Sequence, residues 1–127
     1  LLRNHAYHVN YCERLDISKI KIAAEAFIGT YDFSGFMAAG SKVSNTVRTI
    51  YDISIEQEGE LIRFIYKGNG FLYNMIRIIT GTLLYTGIGK INPEDMKDII
   101  LSKDRERAGV TVPAQGLYLE EVYYDFP

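Results

Sequence analysis

The sequence predicts an α+β fold, a small and mostly antiparallel sheet with helices packed on one face, and three observations predict it. Apolar and polar residues alternate from Val47 to Ile55 and again from Leu61 to Lys67, the period of two that marks half-buried strands. Ile20 to Ile28 and Leu72 to Leu83 instead carry apolar residues at the three-and-four spacing of a one-sided helix. The chain has 127 residues, 47% of them apolar and 24% charged, which suits one core with about two-thirds of the surface buried. Residues 1–127 read as a single domain, with an irregular arm over 1–15 and a core over 16–124.

After the arm, Asp16 is placed to cap a helix whose buried stripe is Ile20, Ala23, Ala24, Phe27 and Ile28, with Gly29 as its stop. Thr30 to Asn45 mixes aromatic residues with Gly and Ser, notably in Tyr31-Asp32-Phe33-Ser34-Gly35-Phe36. It reads as a loop whose rings are pinned to the body. Val47, Thr49, Tyr51, Ile53 and Ile55 form one face of the first strand, and Gln57-Glu58-Gly59-Glu60 turns it into the second, an antiparallel hairpin. Lys67-Gly68-Asn69-Gly70 ends that strand. Asn69 can cap the next helix, with Leu72, Met75, Ile76, Ile79 and Leu83 on its apolar face and Gly87 and Gly89 at its end. Asn92-Pro93-Glu94-Asp95 combines a cap, a first-turn proline and two acids, and opens a short helix burying Met96, Ile99 and Ile100. A charged exit, Lys103 to Gly109, leads past Pro113 to a last strand over Leu117 to Tyr124. The expected order is helix, strand, strand, helix, helix, strand, and three strands leave sheet edges that a missing partner would cover.

Composition narrows the function. Fourteen Lys and Arg against sixteen Asp and Glu give a net charge of −2, so a nucleic-acid site has to be local rather than a property of the whole surface. The single cysteine, Cys12, excludes an internal disulfide, and a reducing, cytoplasmic setting fits. His5, His8 and Cys12 have loosely metal-like spacing but lack a fourth ligand, so no metal site is expected. The longest apolar stretch, Met75 to Leu84, is interrupted by Arg77, Thr80, Gly81 and Thr82, short of the roughly 18 to 20 residues that span a bilayer. No signal-peptide layout opens the chain, which reads as a piece of a longer protein.

Arg77 is the most informative residue. At about 100° per residue it points away from the stripe of its own helix, on a side otherwise occupied by Tyr73, Asn74, Thr80 and Gly81. A single charge among small neutral residues suggests a covered face. Arg77 is then either a surface arginine or one held for a carboxylate or phosphate, both of which match its planar fork. The Gly68-Asn69-Gly70-Phe71 turn, with Lys67 beside it, is either a plain strand-to-helix turn or an anion-binding helix start. Among ten tyrosines and six phenylalanines most rings belong to the core, while one exposed beside Arg48 or Arg77 would stack on a base. No Ser-His-Asp or Cys-His arrangement occurs, and Asp16, Asp32, Asp52, Asp95, Asp98, Asp104 and Asp125 are each accounted for by a cap, a turn or an exposed face.

Four segments in order resemble the C-terminal half of the tRNA pseudouridine synthase A (TruA) family, over about Asp16 to Tyr124. They are Gly29-Thr30-Tyr31-Asp32-Phe33-Ser34-Gly35-Phe36, Arg48-Thr49-Ile50, Gly70-Phe71-Leu72-Tyr73-Asn74-Met75-Ile76-Arg77-Ile78-Ile79-Thr80-Gly81 and Gly116-Leu117-Tyr118-Leu119. The resemblance implies a ferredoxin- or RRM-like pseudouridine synthase half. It also implies conversion of uridine to pseudouridine at positions 38 to 40 of the tRNA anticodon stem-loop, without a cofactor and in a homodimer. The uridine leaves its stack, its glycosidic bond breaks, and the base rotates and rejoins through C5. The family nucleophile is the aspartate of a Gly-Arg-Thr-Asp motif in the N-terminal half, and here Arg48-Thr49 is followed by Ile50, so the chain alone is expected to be inactive.

By the same resemblance Arg77 matches the arginine that pairs with that aspartate, and Leu117 the apolar residue beneath the target base. Arg48 and Lys67 are candidate RNA-backbone contacts or else solvated strand ends, and Asn69 and Tyr73 complete the RNA-binding candidates. The expected partners are tRNA, the missing N-terminal half and a second copy of the full protein, with no membrane. The alternative is a stand-alone RNA-binding or dimerisation module on a ferredoxin-like sheet, for which the missing nucleophile is no defect.

Overall fold

In the computed structural model, residues 2–10, 15–38, 40 and 42–123 are described. Five strands form one sheet: β1 (Leu2–Asn10), β2 (Gly29–Asp32), β3 (Val47–Glu58), β4 (Leu61–Gly68) and β5 (Leu117–Tyr123). Three helices accompany them, α1 (Ile17–Ala26), α2 (Met75–Gly87) and α3 (Met96–Ser102). The sheet order is β2-β3-β4-β1-β5, antiparallel throughout. Ile62, Phe64 and Tyr66 of β4 are buried and face the helices, where the Tyr66 hydroxyl lies 2.7 Å from Thr80 Oγ1 of α2. Burial pushes the Tyr66 phenol far above its ordinary value, with the Thr80 contact opposing only part of that rise. The α+β expectation therefore holds. Among the described residues no helix is long and apolar enough to cross a membrane.

Two strands were not legible in the local pattern. The arm expected over 1–15 is irregular only in sequence, because Leu2–Asn10 forms β1 and lies inside the sheet between β4 and β5. Its polar composition hides no periodic stripe. It is specified by partners far along the chain, Tyr7 opposite Phe64 on one side and opposite Leu117 on the other. Period two also separates His5 from His8, which fall on opposite faces of β1, so their spacing is not that of a shared metal site. Cys12 lies outside the described residues. Gly29, expected to stop the first helix, opens β2 at φ 134°, and the helix has already ended at Ala26. Tyr31 and Asp32 thus belong to an edge strand rather than a loop.

The rings of that segment are pinned as expected. Phe33 and Phe36 are buried, and Phe27 meets Phe36 edge-on at 5.2 Å between ring centroids. Asp32 ties the segment together. Its Oδ1 accepts from the Ser34 N–H at 3.0 Å and from Thr46 Oγ1 at 2.6 Å, while Lys103 Nζ stands 3.7 Å from Oδ2. The Thr46 hydrogen bond, followed by those of Ser34 and the Lys103 charge, outweighs partial burial and holds the Asp32 carboxyl below its usual range. Asp32→Ala should therefore lower the urea midpoint at neutral pH by the equivalent of about 1–3 kcal/mol. Since the folded value is depressed, this contribution is present above the unfolded carboxylate value and is lost as pH falls through it toward the folded one. The gap between wild type and variant should narrow in acid.

The face assignment of β3 also changes along its length. A bulge between Ile50 and Asp52 adds Tyr51 to the strand without a partner. Ile50 and Ile53 are consequently both buried, whereas Val47 and Tyr51, expected on the same face as Ile53, are 45% and 50% exposed. The bulge also brings Arg48, two residues before Ile50, to the side of the sheet that Ile53 faces. A strict count of two from Ile53 would put Arg48 on the opposite face.

α1 follows the expectation closely, with Asp16 Oδ1 accepting from the Lys19 N–H at 3.2 Å and Ile20, Ala23 and Ala24 buried. α2 begins later than expected. Asn69 does not cap it; instead its Oδ1 accepts from the Thr49 N–H at 3.0 Å and its own N–H donates to the Thr49 carbonyl at 3.1 Å. The two bonds extend the β3–β4 pairing by one step, so the chain passes through Gly70 to Asn74 before the helix starts at Met75. Leu72, Met75, Ile76, Ile79 and Leu83 are buried as expected. So are Ile78, Thr80, Thr82 and Thr86, which makes α2 a central helix rather than a one-sided one. Its far side is covered by the segment after α3, where the Gly109 N–H donates to Thr82 Oγ1 at 2.8 Å. Pro93–Asp95 forms a single 3-10 turn leading into α3, and Met96, Ile99 and Ile100 are buried.

Candidate active site

The first turn of α2 and the preceding residues 69–74 form one wall of a cleft of about 860 Å³. Asn45 just before β3, Val47 and Arg48 at its start, His5 from β1 and Ala114 complete it. Part of the lining is aromatic and apolar, with His5 meeting Phe71 edge-on at 4.8 Å, and part is polar, with two arginines and three asparagines. Such a mixture suits a flat heteroaromatic ring with charged substituents.

Arg77 sits in the first turn of α2, where no acidic residue accompanies it. A cation at a helix N-terminus is opposed by the helix dipole, typically by about 0.3–1 kcal/mol, so its position there needs another stabilising interaction. Two neutral acceptors provide it. Arg77 Nε donates to the Val112 carbonyl at 2.7 Å and Nη1 to Asn74 Oδ1 at 2.9 Å. Among the described residues no carboxylate lies within ion-pair distance of Arg77. The covered face expected around it is present, but its cover is the segment Gly109–Val112 of the same chain. Gly81 makes the approach possible, because a Cβ there would overlap the Val110 carbonyl oxygen.

Tyr7 reinforces this arrangement from β1. Its hydroxyl donates to the Pro113 carbonyl at 2.6 Å, next to the carbonyl that Arg77 holds. Burial raises the Tyr7 phenol above its ordinary value, and the nearby Arg77 charge opposes part of that rise. Two donors on successive carbonyls thus fix the chain just before β5, whose first residue is Leu117.

Four of the six candidates, Arg77, Arg48, Asn69 and Tyr73, line the one cleft. Arg48 Nη1 donates to the Asn45 and Val47 carbonyls, each at 2.8 Å, which turns the guanidinium back along the rim. Tyr73 is 70% exposed at the mouth. Lys67 does not line the cleft, because it alternates with buried Tyr66 and so belongs to the sheet face turned away from the helices. Leu117 pairs in register with Tyr7 of β1, and its side chain lies outside the described residues. Sequence reasoning missed His5, Asn45 and Phe71 as cleft residues. Their placement depends on β1 entering the sheet and on the turn before α2, which no local spacing encodes. Asn74 was visible as a neighbour of Arg77 on the helix, three positions away.

A family model for tRNA pseudouridine synthase matches residues 23–125 of this chain. The chain belongs to the tRNA pseudouridine synthase family. Among its curated relatives, tRNA pseudouridine synthase A of Acetivibrio thermocellus is 52% identical over 124 residues, covering 98% of this chain and 50% of that protein. The enzyme of the same name from Thermoanaerobacter pseudethanolicus is 50% identical over 123 residues, 97% of this chain and 50% of the relative. That of Bacillus subtilis is 49% identical over 123 residues, 97% of this chain and 49% of its own length. The chain thus spans about half the length of the curated relatives it matches. Of the four motif segments of this synthase-family chain, the second brings Arg48 to the cleft and the third brings residues 70–77.

Proposed function

We infer that this chain is the C-terminal half of a tRNA pseudouridine synthase A, and that its cleft is one side of the catalytic site. The observation that carries the reading is Arg77. It is held by two neutral acceptors, lines the cleft, and has no carboxylate within ion-pair distance among the described residues. That is the arrangement expected if the nucleophilic aspartate comes from the N-terminal half. The substrate is a uridine of the tRNA anticodon stem-loop, at positions 38 to 40, and the reaction needs no cofactor.

In this reading Arg77 keeps the incoming carboxylate ionised and aimed at the sugar carbon. His5, Phe71 and Leu117 limit water at the detached base, so that it rotates and rejoins through C5 rather than escaping. Arg48 and Tyr73 at the rim, with Asn69, contact RNA beside the flipped nucleotide, Tyr73 by stacking and Arg48 at phosphate. Lys67 would reach RNA only beyond the cleft, on the other sheet face. The full protein acts in the cytoplasm as a homodimer on tRNA.

The test is to assay the chain alone, and then with the N-terminal half supplied in trans, for pseudouridine formation on unmodified tRNA. No conversion by the chain alone and conversion with both halves is the expected result. Tight tRNA binding by the isolated chain, with a steep salt dependence and no gain of activity on adding the other half, would support a stand-alone RNA-binding module instead.

A further inference from the structure

We propose that Asn74 is a positioning residue for Arg77, and that its left-handed backbone and its amide oxygen act together to aim the guanidinium into the cleft. The inference rests on the reading of Arg77 given above. A residue preceding a helix is ordinarily extended, with its side-chain oxygen turned back onto the N–H groups of the first turn. Asn74 does neither. Its backbone is left-handed, at φ 63° and ψ 5°, and its side chain makes no capping bond. The amide oxygen instead accepts from Arg77 Nη1 at 2.9 Å.

With the Val112 carbonyl on Nε at 2.7 Å, two of the three guanidinium nitrogens are fixed from different parts of the chain. Two anchors on a planar group determine the plane. The third nitrogen, Nη2, donates to nothing among the described residues and is the one left for a ligand of the cleft. The chemistry of the anchor matters as much as its place. Arginine has donors only, so the oxygen end of the amide is the end that serves. An amide orients the cation without neutralising it, whereas a carboxylate at this position would itself pair with Arg77 and compete with the carboxylate of the other half. Asparagine is also the residue with a side chain that enters the left-handed region most readily, so one residue type satisfies both demands.

The experiment uses the full-length protein and compares Asn74→Gly, Asn74→Ala and Arg77→Met with wild type. It reads single-turnover conversion of unmodified tRNA, tRNA affinity and thermal melting. Glycine adopts φ 63° freely, so Asn74→Gly removes the oxygen and leaves the turn intact. It should melt and bind tRNA as wild type does while converting at least tenfold more slowly, and Asn74→Ala should be equally slow and also melt lower. A wild-type rate in Asn74→Gly would show that Asn74 serves only the turn and would overturn the proposal. So would a rate loss matched by equal losses of affinity and melting temperature. If Arg77→Met converts at the wild-type rate, the reading of Arg77 itself fails. If Arg77→Met is slow and Asn74→Gly is not, only the role of Asn74 falls.

Discussion

Arg77→Met in the full-length protein is expected to slow pseudouridine formation by about 10²- to 10⁴-fold while leaving tRNA affinity within a few-fold of wild type. The magnitude follows from leaving a desolvated carboxylate without its cation, which amounts to about 3–5 kcal/mol, against about 0–1 kcal/mol for a surface pair. Methionine approximates the aliphatic stem of arginine and keeps its packing, so the loss is chemical rather than structural. Affinity changes little because one cation among several phosphate contacts is a small part of RNA binding. Arg77→Lys is the informative companion. It restores the charge but not the fork, and so gives up simultaneous contact with Val112 and Asn74. Its rate should lie between the two. An Arg77→Met enzyme with undiminished single-turnover rate would reduce Arg77 to a structural clasp for the Val112 segment.

Gly81→Ala should be the most damaging small substitution in the chain. In an isolated helix this change is favourable by about 1 kcal/mol. Here the new methyl would overlap the Val110 carbonyl oxygen, and backbone lies on both sides of the contact. Neither side yields easily. The segment is tied by the Gly109 N–H to Thr82 Oγ1 at 2.8 Å and by the Val112 N–H to the Arg77 carbonyl at 3.3 Å. Overpacking of this kind is worth about 1–3 kcal/mol, and more where backbone must move. A lower urea midpoint is therefore expected, together with a loss of conversion, because the displaced segment carries the carbonyl that holds Arg77 Nε. An unchanged midpoint would mean that the segment over α2 is held far more loosely than its hydrogen bonds indicate.

Both substitutions act where the site was only partly legible in the sequence. Arg77 stood out from the helical wheel because a lone charge on an otherwise small and neutral face needs an explanation, and the motif segments pointed to the same residue. What covers that face was not legible. The Val110 carbonyl meets Gly81 across 29 residues of chain, and a periodic pattern carries no information about contacts at that range. Arg48 shows a subtler limit. Its sign and its strand were both readable, yet its side of the sheet depends on the single unpaired residue Tyr51, and one bulge reverses every assignment beyond it. Lys67 had the same apparent credentials and lies on the other face, because β4 has no bulge to re-aim it.

The sequence by itself determined the hairpin of β3 and β4, the three helices with their buried stripes, the family, and the arginine on which the site turns. These depend on interactions between residues close in the chain, or on motifs read directly, and side-chain periodicity records such interactions faithfully. The tertiary structure alone decided that Leu2–Asn10 is a strand inside the sheet, that α2 is buried on its back as well as its front, and that Arg48 and Arg77 share a cleft that Lys67 does not. The physical reason is common to all three. A strand is specified by hydrogen bonds to its neighbours, and β1 takes its neighbours from residues 61–68 and 117–123, so its place exists only once the rest of the chain has folded around it.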